Sequence, residues 1–354
     1  MSEQKQILEQ YLQARLSDKT ALSIIRLDKI ADGWESDNYM LTVEYGDARR
    51  IREDWVWRIY SGAGNREKAV LEFTSMEKLF SAGYPVPRVF LLEADHSPID
   101  RPFIIMEFIQ GEIMWRLLDN SAEEKQKQLL DQFCRLYVQL HNLDWKPFDA
   151  SLPTDAPFFF IDRWLAEARG VIQRFPDFDA SPFLDWITAR RDLLACARPS
   201  PIQQDFHPGN ILVRADESAM VIDWAHIAVS DFRFDLSWTL VLTHAHGWAG
   251  MRDLILQGYE HYLGKRVDQI EIFEAIACAR RLFDLTISLT FGPEHLGMTN
   301  QAVESIRSSM EAHRRVHRLF IERTGLHVKA FDELFGKGSG VMGDCVFCRI
   351  LLVT

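Results

Sequence analysis

The stretch Gln204-Asp205-Phe206-His207-Pro208-Gly209-Asn210-Ile211-Leu212-Val213, followed by Met220-Val221-Ile222-Asp223-Trp224, puts two carboxylates and a carboxamide on two short segments joined by a turn. Asn210 lies five residues after Asp205, and Asp223 lies thirteen after Asn210. The apolar runs 211–213 and 220–222 are predicted to be buried strands, with the polar residues 214–218 as the turn between them. Paired as a hairpin, they bring Asn210, at the start of the first strand, beside Asp223, at the end of the second. Pro208-Gly209 argues against helix before Asn210, so Asp205 is expected in an open loop facing the same point. Two aspartates and an asparagine converging there make an all-oxygen donor set, which suits Mg²⁺ shared with phosphate oxygens. Phosphoryl transfer needs this arrangement: one aspartate to orient and deprotonate a hydroxyl, and an Asn and an Asp to hold metal on a nucleotide. Asp-x-x-x-x-Asn alone is ordinary turn chemistry, and the weight lies on the whole string with its following apolar-Asp-Trp.

The chain has 354 residues, enough for two lobes and a sizeable core. Its formal net charge of −11 argues against nucleic acid as a partner and is compatible with a cationic substrate. Five cysteines, sparse and odd in number, suggest a reducing, cytoplasmic compartment without a disulfide framework. The first fifteen residues lack an apolar signal core, and no run of eighteen uncharged apolar residues occurs, which argues against secretion and against a membrane partner.

The opening string resembles the catalytic and metal-binding loops of the aminoglycoside phosphotransferase and choline kinase family, small-molecule relatives of protein kinases. There the first element usually reads His-Gly-Asp-x-His-x-x-Asn and the second Ile-Asp-[Trp/Phe]. Asp205, His207, Asn210, Asp223 and Trp224 match, whereas Gln203 and Gln204 stand where the family usually has His-Gly. The usual histidine is a buried anchor for the loop, and a glutamine can still donate and accept hydrogen bonds. The resemblance implies Asp205 as catalytic base and Asn210 and Asp223 as Mg²⁺ ligands.

Upstream, Ile7, Leu8, Tyr11, Leu12 and Leu16 recur at helical spacing. Strands are predicted over 24–30, 39–43 and 55–60, with 32–38 as a turn containing the single glycine Gly33. Arg58 is a charge among Val56, Trp57 and Ile59, and a buried charge needs a partner. By resemblance it takes the place of the family's phosphate-contacting lysine; Trp-Arg-Ile-Tyr-Ser-Gly is similar to choline kinase, which also carries arginine there. A helix over about 66–80 holds Val70, Leu71, Phe73, Met76, Leu79 and Phe80, and Glu72 falls where the family has the glutamate that pairs with the basic strand residue. Glu67 and Glu77 are the exposed-face alternatives. The run 102–112 begins as a buried strand and ends at Gly111, similar to the family's strand-to-hinge segment, where adenine pairs with backbone. That resemblance assigns Glu107 and Ile109 to backbone contacts with the nucleotide.

Beyond the hinge the chain is expected to be mainly helical, over 129–142, 161–174, 183–197, 248–262, 268–290 and 299–324. His141 is read as a capping or packing residue, and Asp235 as a cap that also bonds back to the catalytic loop. His244 and His246, two apart, fall on different helix faces and do not form a metal pair. Asp162, Asp284 and Glu294 are open to acceptor contact or to plain salt bridging, and none is assigned. The glycine-rich 336–343 reads as a flexible linker. Residues 344–350, with Cys345 and Cys348, resemble the opening of histidine-triad nucleotide-binding proteins, but a lone Cys-x-x-Cys lacks the other two ligands of a structural zinc.

The expected fold is α+β and bilobal, protein-kinase-like: a small antiparallel sheet lobe over 1–106, a hinge over 107–111, a larger helical lobe over 112–335 and a tail over 336–354. The resemblance implies transfer of the γ-phosphate of ATP, with Mg²⁺, to a hydroxyl of a small molecule such as an aminoglycoside, choline or another amino alcohol. Gln203-Gln204 and Arg58 keep open a degenerate, nucleotide-binding protein without turnover. A metal-dependent hydrolase built on Asp205, His207 and Asp223 would want histidine ligands and no hinge.

Overall fold

A computed structural model describes residues 2–32, 36–61, 64–95, 97–153, 155–175, 179–296 and 300–336. The turn residues Gly33, Trp34 and Glu35, the side chain of Glu294, and the tail with Cys345 and Cys348 lie outside the described residues. In chain order the elements are α1 (Ser2–Arg15), β1 (Ser23–Asp32), β2 (Ser36–Tyr45), β3 (Ile51–Tyr60), α2 (Asn65–Ser81), β4 (Val89–Glu93), β5 (Phe103–Glu107), β6 (Glu112–Ile113), α3 (Met114–Asn120) and α4 (Glu123–Asn142). There follow α5 (Phe159–Arg174), α6 (Ser181–Thr188), β7 (Ser200–Ile202), β8 (Ile211–Val213), β9 (Ala219–Val221), β10 (Ala228–Ser230), α7 (Phe232–His246), α8 (Met251–Leu263), α9 (Ile270–Thr290), α10 (Asn300–Ser308), α11 (Met310–Thr324) and α12 (Lys329–Phe335). None of the described helices is long and apolar enough to cross a membrane.

The chain divides into two compact units. The first takes Met1–Arg116 and, from far along the sequence, Gly209–Ile227. Its sheet has the order β1-β2-β3-β5-β4 and is antiparallel throughout. Period-two alternation along β3 turns Trp55, Trp57 and Ile59 into a core with Leu8 and Leu12 of α1 and Leu41 and Val43 of β2. Val56 and Arg58 therefore point to the other face. α2 buries Ala69, Glu72, Ser75, Met76 and Leu79, one stripe at helical spacing. Leu71 and Phe80, expected in the core, are 42% and 51% exposed, so the buried face is rotated towards Glu72.

β8 and β9 form the predicted hairpin, with Ile211 opposite Val221 and Val213 opposite Ala219. β6 adds to its edge. Gly111, just before β6, makes this possible: a Cβ there would lie 2.8 Å from the Val213 carbonyl oxygen. Val221 N–H donates to Pro85 O at 2.8 Å, tying the hairpin to the segment after α2.

The second unit runs over Leu117–Pro208 and resumes at Ala228. α4, α7, α8, α9 and α11 pack as neighbours, and β7 pairs with β10. Two predicted helices are shorter than the spacing suggested. The one expected over 183–197 stops at Thr188 and continues only as a 3-10 turn at Arg191–Leu193. The one expected over 299–324 is two, interrupted at Ser309. Apolar periodicity persists through such breaks because the chain keeps one face to the core when the hydrogen-bond ladder lapses.

Candidate active site

Within the first unit the hairpin does what its register predicts. Ile222 N–H donates to Asn210 O at 2.9 Å, extending the ladder by one bond beyond β8 and β9. Asn210 and Asp223 therefore stand at the same end of the hairpin. Asp223 has φ +65°, a left-handed conformation that aspartate tolerates better than most residues. Trp224 follows it fully buried, its indole N–H donating to Val221 O at 2.9 Å and its ring edge-on to Tyr84.

Arg58 joins this cluster. Its Nε lies 3.3 Å from Glu72 Oε2, and its Nη2 donates to Asp223 Oδ1 at 2.9 Å. Glu72 is 1% exposed and is also held by the Tyr60 hydroxyl at 2.5 Å and the Trp224 N–H at 3.4 Å. Burial pushes the Glu72 carboxyl pKa up, against the pull of Arg58. Burial also weighs against the Arg58 charge, but Glu72 and Asp223 outweigh it and hold the guanidinium firmly protonated. Glu67 and Glu77 are exposed, so burial selects Glu72 among the three carboxylates of the helix.

At the hinge segment, the Glu107 side chain takes Arg214 Nη2 at 2.8 Å and the Arg88 N–H at 3.2 Å, while its own N–H donates to Arg88 O. The Glu107 carboxylate is thus structural. Ile109 is buried.

Asp205 belongs to the second unit. The Trp238 indole N–H donates to its Oδ1 at 3.0 Å, and His207 Nε2 lies 3.4 Å from its Oδ2. Its side chain is 48% exposed. Burial raises its pKa, but His207, Trp238 and more distantly Arg280 together hold it down to about 2. The loop before it is fixed by α7: the N–H groups of Gln203 and Gln204 donate to Asp235 Oδ2 and Oδ1 at 3.0 and 2.7 Å. His141 Nε2 also lies 3.2 Å from Asp235 Oδ2, and its Nδ1 is 2.7 Å from the Tyr259 hydroxyl. His141 is thus a buried strut. The cap of α7 is Asp231, whose side chain accepts from the Arg233 N–H, rather than Asp235, which lies inside the first turn. After Asp205, Phe206 stacks on Tyr137 at 4.0 Å, and the loop closes in a single 3-10 turn, Pro208–Asn210. Asp162, open in the sequence, is ion-paired with Arg191.

Beside Asp205 the second unit holds a cavity of about 390 Å³. Gln204, Trp238, Trp164, Phe160, Arg280 and Asp284 are on its wall. Sequence spacing named Asp284 but gave no sign of Trp238 or Arg280, because nothing in a helical stripe distinguishes a wall residue from a packed one.

The chain and its fold are similar to known proteins. Residues 26–269 match the phosphotransferase enzyme family, and the chain belongs to that family. A putative aminoglycoside phosphotransferase from Ralstonia eutropha superposes with a TM-score of 0.63 at 17% identity, covering 89% of this chain and 97% of that one. The aminoglycoside phosphotransferase APH(2'')-IIa, in its ternary complex with streptomycin and ATP, gives 0.53 at 17% identity, covering 88% and 97%. A Plasmodium vivax ethanolamine kinase gives 0.56 at 15% identity, covering 84% and 83%. The fold is the α+β, kinase-like one of these enzymes.

Proposed function

We propose that this phosphotransferase moves the γ-phosphate of ATP to a hydroxyl of a small molecule. The observation that carries the reading is the cluster at the hairpin end: Asn210 and Asp223 at one end of the hairpin, with Arg58 ion-paired to Asp223 and to the buried Glu72. An amide and a carboxylate together are the oxygen donors that a Mg²⁺–nucleotide calls for. Bound there, Mg²⁺ would neutralise charge on the phosphates during transfer. Arg58 would steady the phosphates through its planar fork, with Glu72 fixing its position. Ile109 N–H, and the backbone at Glu107, would receive the base.

In this reading Asp205 orients the acceptor hydroxyl. A carboxylate held near 2 is a weak base. Its main contribution is therefore to align the hydroxyl, taking the proton as the new bond to phosphorus forms. Nucleotide-bound relatives of the same fold, such as the streptomycin–ATP complex of APH(2'')-IIa and the ADP-bound APH(2'')-Ib, support a nucleotide here.

The test is ADP production with Mg-ATP across a panel of hydroxyl acceptors. Asp205→Ala should lower kcat by roughly a hundred- to ten-thousand-fold while leaving Mg-ATP binding intact. Near-normal turnover in that variant would remove Asp205 from the chemistry. Mg-ATP binding in the wild type with no turnover on any acceptor would instead favour the nucleotide-binding protein without turnover.

A further inference from the structure

We propose that the cavity beside Asp205 receives an acceptor carrying an oxyanion, a carboxylate or a phosphate, on an apolar body, with Arg280 as the group that reads it. That the occupant is the acceptor rests on the reading of Asp205 above. The anion preference of the cavity stands on Arg280 itself.

Arg280 stacks its guanidinium 4.4 Å over the Trp238 ring. Trp238 in turn donates to Asp205, so the arginine is one side chain removed from the proposed catalytic carboxylate. A guanidinium held over a ring can still use its N–H fork, which matches the two oxygens of a carboxylate or phosphate. Among the described residues, no carboxylate lies within ion-pairing distance of Arg280. The other arginine on the wall, Arg163, is 3.7 Å from Glu167, so that pair largely offsets itself.

Asp284 lies one helical turn beyond Arg280 on α9 and also faces the cavity. It makes no ion pair with Arg280 despite the favourable spacing. Burial raises the Asp284 pKa against the pull of Arg280 and Arg281, which weakens it as a partner for cations. Asp235, also on the wall, is taken up by the Gln203 and Gln204 N–H groups and by His141. Phe160, Trp164 and Trp238 supply apolar wall for the body of the molecule, and the volume is at the small end for ligand pockets.

The experiment measures binding by saturation-transfer NMR and calorimetry on the full chain. The probes share one body: para-hydroxymethyl benzoate, the corresponding benzamide, the benzylamine and the phenyl phosphate. The benzoate or the phosphate should bind at least roughly tenfold more tightly than the amide, the yield of a charge-assisted bond. Comparing those two anions says which oxyanion the site takes. Arg280→Met should erase the preference, and Arg280→Lys should restore only part of it. The proposal is overturned if the amine binds best, if neither anion outbinds the amide, if neither binds measurably, or if Arg280→Met keeps the preference. None of these readings needs turnover, so they are separate from the Asp205→Ala result, which tests the catalytic role.

Discussion

At the scale of single residues, two adjacent side chains, Gln204 and Asp205, carry the sharpest expectations. Gln204 has φ +69°, the left-handed region, at a position where the resembling family usually has glycine. A side chain there costs about 1–2 kcal/mol, so Gln204→Gly should raise stability by up to about 1 kcal/mol after glycine's larger unfolded-state entropy is counted. Urea denaturation of the two proteins reads this directly. For Asp205 the folded pKa of about 2 lies below the usual carboxylate value near 3.9. Its contribution is therefore fully present above about pH 4 and is lost as pH falls towards 2. The stability difference between the wild type and Asp205→Asn should be constant from roughly pH 7 to pH 5 and change only below about pH 4. A difference that collapses nearer neutrality would mean that His207 and Trp238 do not hold the carboxylate as described. Legibility divides at this scale too. The hairpin that carries Asn210 and Asp223 was readable because its two apolar runs and polar turn stand together as a string. The strain at Gln204 was invisible, since glutamine adopts any backbone conformation on paper and only its neighbours fix φ.

At the scale of elements, the loop that carries Asp205 is fastened from α7. Asp235 accepts two loop N–H groups, one buried and one part-buried, and meets the buried His141. Asp235→Ala should cost at least about 2–3 kcal/mol, because two backbone donors and a histidine lose a charged acceptor where water cannot replace it. A thermal-melt comparison with Asp231→Ala, whose cap role is worth about 1 kcal/mol plus its bonds to Arg233, separates loop anchoring from capping. Gly111 makes a second case. Gly111→Ala would press a methyl group against the Val213 carbonyl, and a loss of about 1–3 kcal/mol is expected from the forced backbone shift. The hairpin was legible because each strand is a short apolar run bounded by polar turn residues. The roles of Asp231 and Asp235 were harder to separate, since both stand near the helix start and only hydrogen-bond geometry tells the cap from the anchor.

At the scale of the whole chain, the expected consequence of function is linkage. Mg-ATP at a hundred times its dissociation constant should stabilise the protein by about 2.7 kcal/mol, seen as a rise in Tm. Asp223→Ala should abolish that rise, while Asp205→Ala should keep it. The α+β class followed from sequence because period-two strands, one helix and a long helical remainder are local patterns that water enforces segment by segment, whereas its kinase-like form came from the family resemblance of the 204–224 string. The sequence by itself determined which residues carry oxygen and charge, where the strands and most helices lie, and that Arg58 needed a carboxylate. Only the tertiary structure decided that Glu72 rather than Glu67 or Glu77 answers it, that Gly209–Ile227 groups with the N-terminal sheet, and that Arg280 lies over Trp238 on a cavity wall. The reason is physical: propensity and periodicity act between near neighbours, whereas burial and charge pairing depend on which distant segments share a space, and that is set only when the chain packs.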